Sequence, residues 1–244
     1  MSESNFISHL LELRTRLIRT TLVLLVAFGV AMIWSQDLYD LLAKPLIATL
    51  PLGSKLISTE IGAPFFVPMK AALMAAFLVT LPHSLYQIWA FIAPGLYHHE
   101  KKLVVPLIIS STLLFALGMA FAYFLMFPTF FKFMVAVTPA SVAWTADISK
   151  YFDFVLGMFV AFGVAFEVPV VVVVLVKMGF VSVTQLSAAR AYVVVGAFAV
   201  AAVVTPPDVV SQLMLAIPLW LLYEAGILVS RIWVNRSQLP VPLA

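Results

Sequence analysis

The composition of this 244-residue chain is that of a protein embedded in lipid. Hydrophobic residues make up 64% of the chain and charged residues only 10%, and the mean hydropathy is +1.11. A soluble domain carries about 25% charged residues, so most of this surface must face something other than water. The chain has no cysteine, which excludes disulfide frameworks, thiol catalysis and cysteine-ligated metal sites. The net charge of +3 is small, so the placement of charge matters more than its total.

Six apolar runs predict membrane-spanning helices. A span needs roughly 20 apolar residues, and lipid offers no hydrogen-bond partner to an open backbone, so helix is the expected conformation. The fifth run is short and the sixth is only a little longer. We therefore predict an all-α polytopic membrane protein that forms one domain over 1–244. The predicted spans lie at about 17–34, 66–89, 103–127, 153–176, 191–205 and 211–229.

The placement of basic residues predicts that both termini are cytoplasmic, because cytoplasmic loops carry an excess of Lys and Arg. With this orientation nine of the 14 basic residues, including every arginine, lie inside and five lie outside. The polar start of the chain, 1–12, is followed by no small-residue cleavage site, so we do not expect a removable signal peptide. The inner set is Arg14, Arg16, Arg19, Lys101, Lys102, Lys177, Arg190, Arg231 and Arg236, and the outer set is Lys44, Lys55, Lys70, Lys132 and Lys150.

The first external segment carries the pattern of a surface helix. Over Asp37–Leu50, leucines recur at helical spacing opposite Asp37, Asp40 and Lys44. This arrangement is typical of an amphipathic helix that lies on the membrane, and Pro45 is expected to kink it.

The second external segment, 128–152, is predicted to pack with the first as a cap over the outer side. Its Trp144 and Tyr151 stand where interfacial aromatic anchors belong. In the third external turn, the prolines of Thr205-Pro206-Pro207-Asp208 stop one helix, and Asp208 is placed to cap the next.

Glu167 is the most informative single residue, because it lies inside the fourth span about one turn past its middle. A charged carboxylate at that depth costs a few kcal/mol, so we expect it to face the bundle interior or a wet cavity. Pro169 frees the carbonyl of Ala165 and makes the adjacent backbone polar. A functional role is favoured, and the alternative is a protonated acid that bonds this carbonyl as a packing device.

Two acids, Glu12 and Glu100, stand out among the cytoplasmic cations. Topology does not need acids there, so they favour recognition of a basic ligand such as paired arginines, through bidentate hydrogen bonds. The alternatives are local ion pairs, of Glu12 with Arg16 at i, i+4 and of Glu100 with Lys101.

Polar residues in and beside the last span have two interpretations each. Glu224 is expected to snorkel to the cytoplasmic surface or to pair with Arg231. Ser211 and Gln212 form a polar patch that could bond a single-span partner helix, although external water could equally satisfy this helix end.

Enzyme signatures do not appear in the sequence. It shows no phosphate loop, no metal-ligand spacing and no nucleophile–base pattern, and His83 is better explained as a satisfied polar group than as a ligand. We therefore expect no catalytic residue, no metal, no cofactor and no nucleic-acid partner.

With these residues in place, the chain resembles the TatC family, the polytopic receptors of the twin-arginine protein translocase. The resemblance covers essentially the whole chain and looks like the proteobacterial branch. It rests on His9-Leu10-Leu11-Glu12-Leu13-Arg14, Pro64-Phe65-Phe66, Tyr86-Gln87-Ile88-Trp89-Ala90-Phe91-Ile92-Ala93-Pro94-Gly95-Leu96-Tyr97, Glu100-Lys101, Phe166-Glu167-Val168-Pro169, and Thr205-Pro206-Pro207-Asp208 with Gln212.

The resemblance implies a fold and a set of roles. The fold would be a cup-shaped bundle of six helices in the bacterial inner membrane, with an external cap, both termini cytoplasmic and Glu167 on the concave face. Glu12 and Glu100 would contact the twin arginines of a signal peptide, and Arg14 and Phe91 would belong to the same site.

The resemblance also implies partners and an energy source. The single-span subunits TatA and TatB, further TatC copies and membrane lipid are the expected partners, and the proton-motive force would drive export of folded proteins. The start of helix six, with Asp208 and Gln212, would contact a partner helix. Two departures stand out: Thr15 replaces an expected basic residue, and the tail from about Ser230 is short.

Two other classes of function remain in competition with a receptor. In a proton-coupled small-molecule transporter, Glu167 would carry the proton, although no inverted repeat is evident. In a structural scaffold, Glu167 and the loop acids would serve packing and solvation only.

Overall fold

The computed structural model describes residues 3–49, 56–92, 104–139, 141, 145–205 and 208–237, which are almost entirely helical. A 3₁₀ turn, Met32–Trp34, joins the first two helices, and a π-helical turn, Ala122–Met126, joins the fourth to the fifth. The helices are α1 Glu3–Ala31, α2 Ser35–Ile47, α3 Ala63–Ile92, α4 Val104–Phe121, α5 Phe127–Val137, α6 Ile148–Phe166, α7 Val168–Lys177, α8 Val183–Ala188, α9 Arg190–Val204 and α10 Val209–Ser237.

Among the described residues, five helical segments are long and apolar enough to cross a membrane, and a shorter apolar helix, α9, accompanies them. The predicted all-α membrane fold is therefore confirmed, as is the short fifth span, which is 15 residues long. The five long segments are Ile7–Ile47, Ala63–Phe91, Val105–Val137, Ile148–Lys177 and Val209–Ile232.

Two helices run beyond their predicted spans, and the limits of the spans themselves stay predictions. The helix of the third span continues beyond 127 through α5 to Val137. Pro128 has no N–H and would clash with the carbonyl four residues back in an ideal helix, and the wider π-helical turn just before it relieves that clash. The sixth helix, α10, is 29 residues long and thus nearly twice the length of α9, because its helical pattern continues past the apolar run.

The contacts group the chain into two compact units, which we describe separately. Unit 1 comprises Met1–Ala116 with Phe127–Leu156, and unit 2 comprises Leu117–Met126 with Gly157–Ala244. In unit 1, α3 packs against both α1 and α2, and α2 also contacts α5. In unit 2, α10 packs against α7, α8 and α9. The single-domain assignment remains a prediction.

The predicted amphipathic helix is confirmed as α2, and its position on the membrane surface stays a prediction. Its buried face is formed by Ala43, Pro45 and Leu46, whereas Asp37 and Lys44 are exposed. The helix continues past Pro45 to Ile47. Burial of this face fixes α2 against α3 and α5 in unit 1.

The two segments predicted to form the cap are joined in unit 1 by a short parallel bridge. Ile57 donates to the carbonyl of Ala146 at 3.1 Å and accepts from Ile148 at 2.9 Å. Beside the bridge, the hydroxyl of Ser149 donates to Glu60 at 3.2 Å. Backbone and side-chain hydrogen bonds therefore both connect the two segments.

Asp147 is the carboxylate at the centre of this junction. Its Oδ2 accepts from the backbone N–H and the hydroxyl of Thr59, at 2.9 and 2.7 Å, and its Oδ1 accepts from the N–H groups of Ser149 and Lys150 at the start of α6. The hydroxyl of Thr59 and these N–H groups favour the charged form and lower the pKa of Asp147 to about 2. One side chain thus caps α6 and holds the preceding segment.

Tyr151 does not act as the predicted interfacial anchor. Its ring is buried, and its hydroxyl donates to the carbonyl of Leu42 at 2.6 Å, so it ties the start of α6 to α2. Trp144 lies outside the described residues.

In unit 2, Gly118 marks a close approach of two helices. A Cβ built on Gly118 would stand 2.4 Å from the carbonyl oxygen of Phe162, a distance that real Cβ atoms do not reach. The ring of Phe121 packs one turn further along against Phe162 and Phe166. Only glycine fits at this contact between α4 and α6.

Candidate functional site

The antiparallel packing of α1 on α3 brings polar side chains together at one end of unit 1. On α1, residues His9, Glu12 and Arg16 follow one another at i, i+3 and i+7, so they share a helix face. The last two turns of α3 place Gln87 and Phe91 against that face. We call these five residues the α1–α3 polar cluster.

The guanidinium of Arg16 is fully engaged within the cluster. Its Nε and Nη2 donate to Glu12 Oε1 at 2.9 and 2.6 Å, and its Nη1 donates to Gln87 Oε1 at 3.0 Å. A longer bond of 3.3 Å runs from Nη2 to the carbonyl of Ala90. A carboxylate, an amide and a backbone carbonyl therefore form a site for one guanidinium group.

Aromatic and imidazole rings flank the other side of Glu12. His9 stacks on Phe91 with ring centroids 4.1 Å apart and planes 15° from parallel. His9 Nδ1 lies 3.9 Å from Glu12 Oε2. The second carboxylate oxygen thus lies next to a flat π surface, on which a guanidinium plane can stack.

The cluster is open to ligands on the α1 side. The side chain of Glu12 is 36% exposed and that of Arg16 is 21% exposed, whereas Gln87 is buried. A shallow concavity of about 350 Å³ lies along α1, lined by residues that include Leu11, Thr15 and the Glu12–Arg16 pair. A side chain of a ligand can therefore reach the carboxylate through this concavity without displacing the helices.

The structure brings some predicted site residues together and not others. Phe91 and Glu12 belong to the cluster, and the Glu12–Arg16 ion pair, considered from spacing, is confirmed. Arg14 is exposed, and two positions along a helix place it roughly 200° from Glu12, on the far side of α1. Glu100 lies outside the described residues, so its pairing with Lys101 and its distance from Glu12 stay predictions.

Gln87 and Arg16 were not assigned to the site from the sequence. Arg16 was counted only as an inner cation and as a partner of Glu12. Gln87 is an uncharged amide within a long apolar run, and a buried amide requires hydrogen-bond partners. That requirement was the available signal, but it does not identify a partner 71 residues away.

Glu167 lies inside the apolar segment Ile148–Lys177, as predicted for the fourth span, at the junction of two helices in unit 2. The turn between α6 and α7 falls at Glu167, and Pro169 occupies the first turn of α7. The Glu167 N–H donates three residues back to Val164 at 3.1 Å, and its carbonyl accepts from Val171. Its side chain is half-buried. The acid therefore lies where the helix is interrupted and the adjacent backbone is polar.

Glu224 does not pair with Arg231 as considered above. Its carboxylate accepts a bidentate pair of bonds from Arg190, at 2.6 and 2.8 Å, while Arg231 donates to the hydroxyl of Ser187. The i, i+7 spacing from Glu224 suggested Arg231, but packing of α9 on α10 brings Arg190 closer. Both contacts fix the connection around α8 to α10 in unit 2.

The start of α10 carries the polar group predicted for partner contact. Asp208 Oδ1 accepts from the Ser211 N–H at 2.7 Å, which confirms Asp208 as the helix cap. Gln212 is half-buried, and its backbone N–H donates to Asp208 at 3.2 Å. Contact with a partner helix at Asp208 and Gln212 stays a prediction.

Among the described residues, no group of three or more His, Cys, Asp or Glu side chains could hold a metal ion. At the α1–α3 polar cluster, the oxygen acceptors that hold Arg16 and the aromatic surface beside them suit the binding of an organic cation such as a guanidinium.

Comparisons with known proteins agree along most of the chain. Residues 8–218 match the family model described as Sec-independent protein translocase protein (TatC). The chain is 48% identical over 232 residues to the Sec-independent protein translocase protein TatC of Escherichia coli (strain K12), covering 95% of this chain and 90% of that protein. It is 39% identical to the protein of the same name from Aquifex aeolicus (strain VF5), covering 94% of this chain and 96% of that protein.

Two solved structures are also similar to this chain over most of its length. A crystal structure titled as the twin-arginine translocase receptor TatC superposes with a TM-score of 0.81 at 39% identity, covering 93% of this chain and 99% of that one. A second crystal structure of that receptor, in DDM, gives a TM-score of 0.82 at the same identity, covering 91% of this chain and 99% of that one.

Proposed function

The chain belongs to the TatC family of Sec-independent protein translocase proteins, and on this premise we propose that it is the receptor subunit that binds twin-arginine signal peptides for the export of folded proteins. The single observation that carries the proposal is the α1–α3 polar cluster, in which a guanidinium group is bound by Glu12, Gln87 and a backbone carbonyl. Each relative reported above is named as a translocase protein, and this gives no support to the transporter alternative.

The proposed site recognises arginine by geometry as well as by charge. Glu12 and Glu100 supply carboxylates for the two guanidinium groups, and the stacked rings of His9 and Phe91 supply the adjoining flat surface. Arg14, on the far side of α1, contributes to the site through the peptide's flanking residues and not through Glu12.

The proposed setting is the bacterial inner membrane, with both termini and the α1–α3 polar cluster at the cytoplasmic side. The excess of Lys and Arg assigned to that side supports this orientation. After capture, the apolar part of the signal peptide inserts beside Glu167.

TatA and TatB are the proposed single-span partners, and the start of α10 with Asp208 and Gln212 is their proposed contact, together with α9. Further copies of the chain and membrane lipid complete the assembly. Export of cargo then draws on the proton-motive force.

The test is site-specific crosslinking from position 91 to a twin-arginine signal peptide in membranes, with the matched twin-lysine peptide as a control. We expect a crosslink with the arginine peptide, which Glu12→Ala and Glu100→Gln each weaken by about tenfold, since a charge-assisted hydrogen bond contributes about 1.5 kcal/mol. The control variant is Asp40→Asn, which removes an exposed acid on α2. Equal crosslinking in both glutamate variants and the parent protein would exclude docking at these acids.

A further inference from the structure

We propose that Arg16 is an internal competitor for the signal peptide, and that the peptide binds by exchanging one of its guanidinium groups for that of Arg16. The inference rests on the proposed function and concerns the same site. It assigns to Arg16 the role of a residue that sets specificity for arginine over lysine.

The first reason is that Arg16 occupies the acceptors that an incoming arginine needs. Glu12 Oε1 accepts two of its bonds, at 2.9 and 2.6 Å, and Gln87 Oε1 accepts a third at 3.0 Å. While Arg16 holds these bonds, a ligand guanidinium can reach Glu12 Oε2 but not the fork formed by Oε1 and Gln87. Binding in that fork therefore requires that Arg16 leave.

The second reason is that the exchange is geometrically open. Arg16 is held by side-chain acceptors and one long bond of 3.3 Å to Ala90, and the pair faces the concavity along α1. Glu12 is 36% exposed, so water and ligand can reach it. A released Arg16 side chain extends into water, where a guanidinium is solvated.

The third reason is that the exchange favours a guanidinium over an ammonium group. An incoming arginine replaces each bond that Arg16 gives up, so the exchange costs little. Lysine presents its donors from a single nitrogen and cannot reproduce a planar fork that spans carboxylate and amide. The lysine peptide must displace Arg16 without recovering its bonds, and its affinity is reduced more than that of the arginine peptide.

Arg19 provides the matched control. It carries the same charge, lies three residues further along α1, is exposed and lines the same concavity, and its side chain makes no hydrogen bond within the part of the chain that the structure describes. Arg16→Gln and Arg19→Gln thus remove the same charge from the same helix. Only the first removes a guanidinium from Glu12.

The experiment measures binding of dye-labelled twin-arginine and twin-lysine signal peptides to the full chain in lipid nanodiscs, by fluorescence anisotropy. We expect Arg16→Gln to tighten the arginine peptide by about threefold and the lysine peptide by about tenfold or more, amounts of the order that one charge-assisted bond supplies. The ratio of the two affinities then falls. Arg19→Gln should change both affinities by one common factor and leave the ratio as it was.

Arg16→Lys separates geometry from charge. It keeps the positive charge but cannot form the fork, so it should also tighten the arginine peptide and lower the ratio. Thermal unfolding of each variant confirms that the helices remain assembled.

The inference is overturned if Arg16→Gln weakens the arginine peptide or leaves it unchanged, or if Arg19→Gln lowers the ratio as much. Weaker binding would make Arg16 a support for Glu12. If the parent protein bound neither peptide, the proposed function itself would fail and the inference with it.

Discussion

Unit 1 holds two carboxylates in opposite circumstances, Asp147 at the bridge between segments and Glu12 in the α1–α3 polar cluster. Asp147 accepts four hydrogen bonds, three of them from backbone N–H groups. Glu12 accepts from one side chain, that of Arg16, and its other oxygen faces His9. Backbone donors cannot leave without unfolding a turn, whereas a side-chain donor can rotate away. The kind of donor, and not the exposure of the acid, therefore separates a structural carboxylate from one that is available to a ligand.

The largest expected effect is that of Asp147→Asn on the stability of the fold. Asp147→Asn keeps the size of the side chain but removes its charge and the strength of its bonds to Thr59 and to the start of α6. We expect a fall of several degrees in the melting temperature and no change in affinity for a twin-arginine peptide. Circular dichroism and the anisotropy assay measure the two quantities.

Two results would contradict that expectation. Asp40→Asn is the control, because it removes an exposed acid on α2 that accepts none of the hydrogen bonds of the bridge. An equal loss of melting temperature in this control, or a loss of peptide affinity in Asp147→Asn, would erase the distinction between the two carboxylates.

The contribution of Asp147 to stability should depend on pH. The pKa of Asp147 falls from 3.8 to about 2 on folding, so its charged form is favoured in the folded state. Its contribution to stability is complete above the unfolded pKa and is lost as pH falls from about 4 through about 2. The difference in melting temperature between the parent and Asp147→Asn should be constant above that window and shrink within it. A difference that grows as the pH falls would refute the linkage.

The smallest expected effect is at the aromatic side of Glu12. Phe91→Leu removes the flat ring beside Glu12 on which an incoming guanidinium can stack, and a cation–π contact contributes about 1 kcal/mol, so the affinity for a twin-arginine peptide should fall by about fivefold. The melting temperature should hardly change, because Phe91 is only half-buried. Phe65→Leu, a change at an exposed ring at the other end of α3, is the control and should leave the affinity unchanged.

The sequence allowed the helical membrane fold to be predicted because length and apolarity of the runs decide that outcome, whatever the tertiary contacts. It also offered the Glu12–Arg16 pair as an alternative to ligand recognition, since i, i+4 neighbours on a helix meet without help from the rest of the chain. The cap at Asp208 was predicted for the same local reason.

Contacts between distant parts of the chain could not be predicted in the same way. The bonds from Arg16 to Gln87 and from Arg190 to Glu224 depend on which helices pack together and in what register. The continuation of helix through Pro128 was missed because a π-helical turn carries no reliable sequence signal.

The fit of Gly118 against the Phe162 carbonyl has a consequence for movement within unit 2. Two backbones that touch where not even a methyl group fits cannot slide past one another or roll without losing the contact. Any rearrangement during transport must therefore carry these stretches of α4 and α6 as one block. Displacement has to be taken up at the two interruptions that follow this contact, the π-helical turn Ala122–Met126 after α4 and the break at Glu167 after α6.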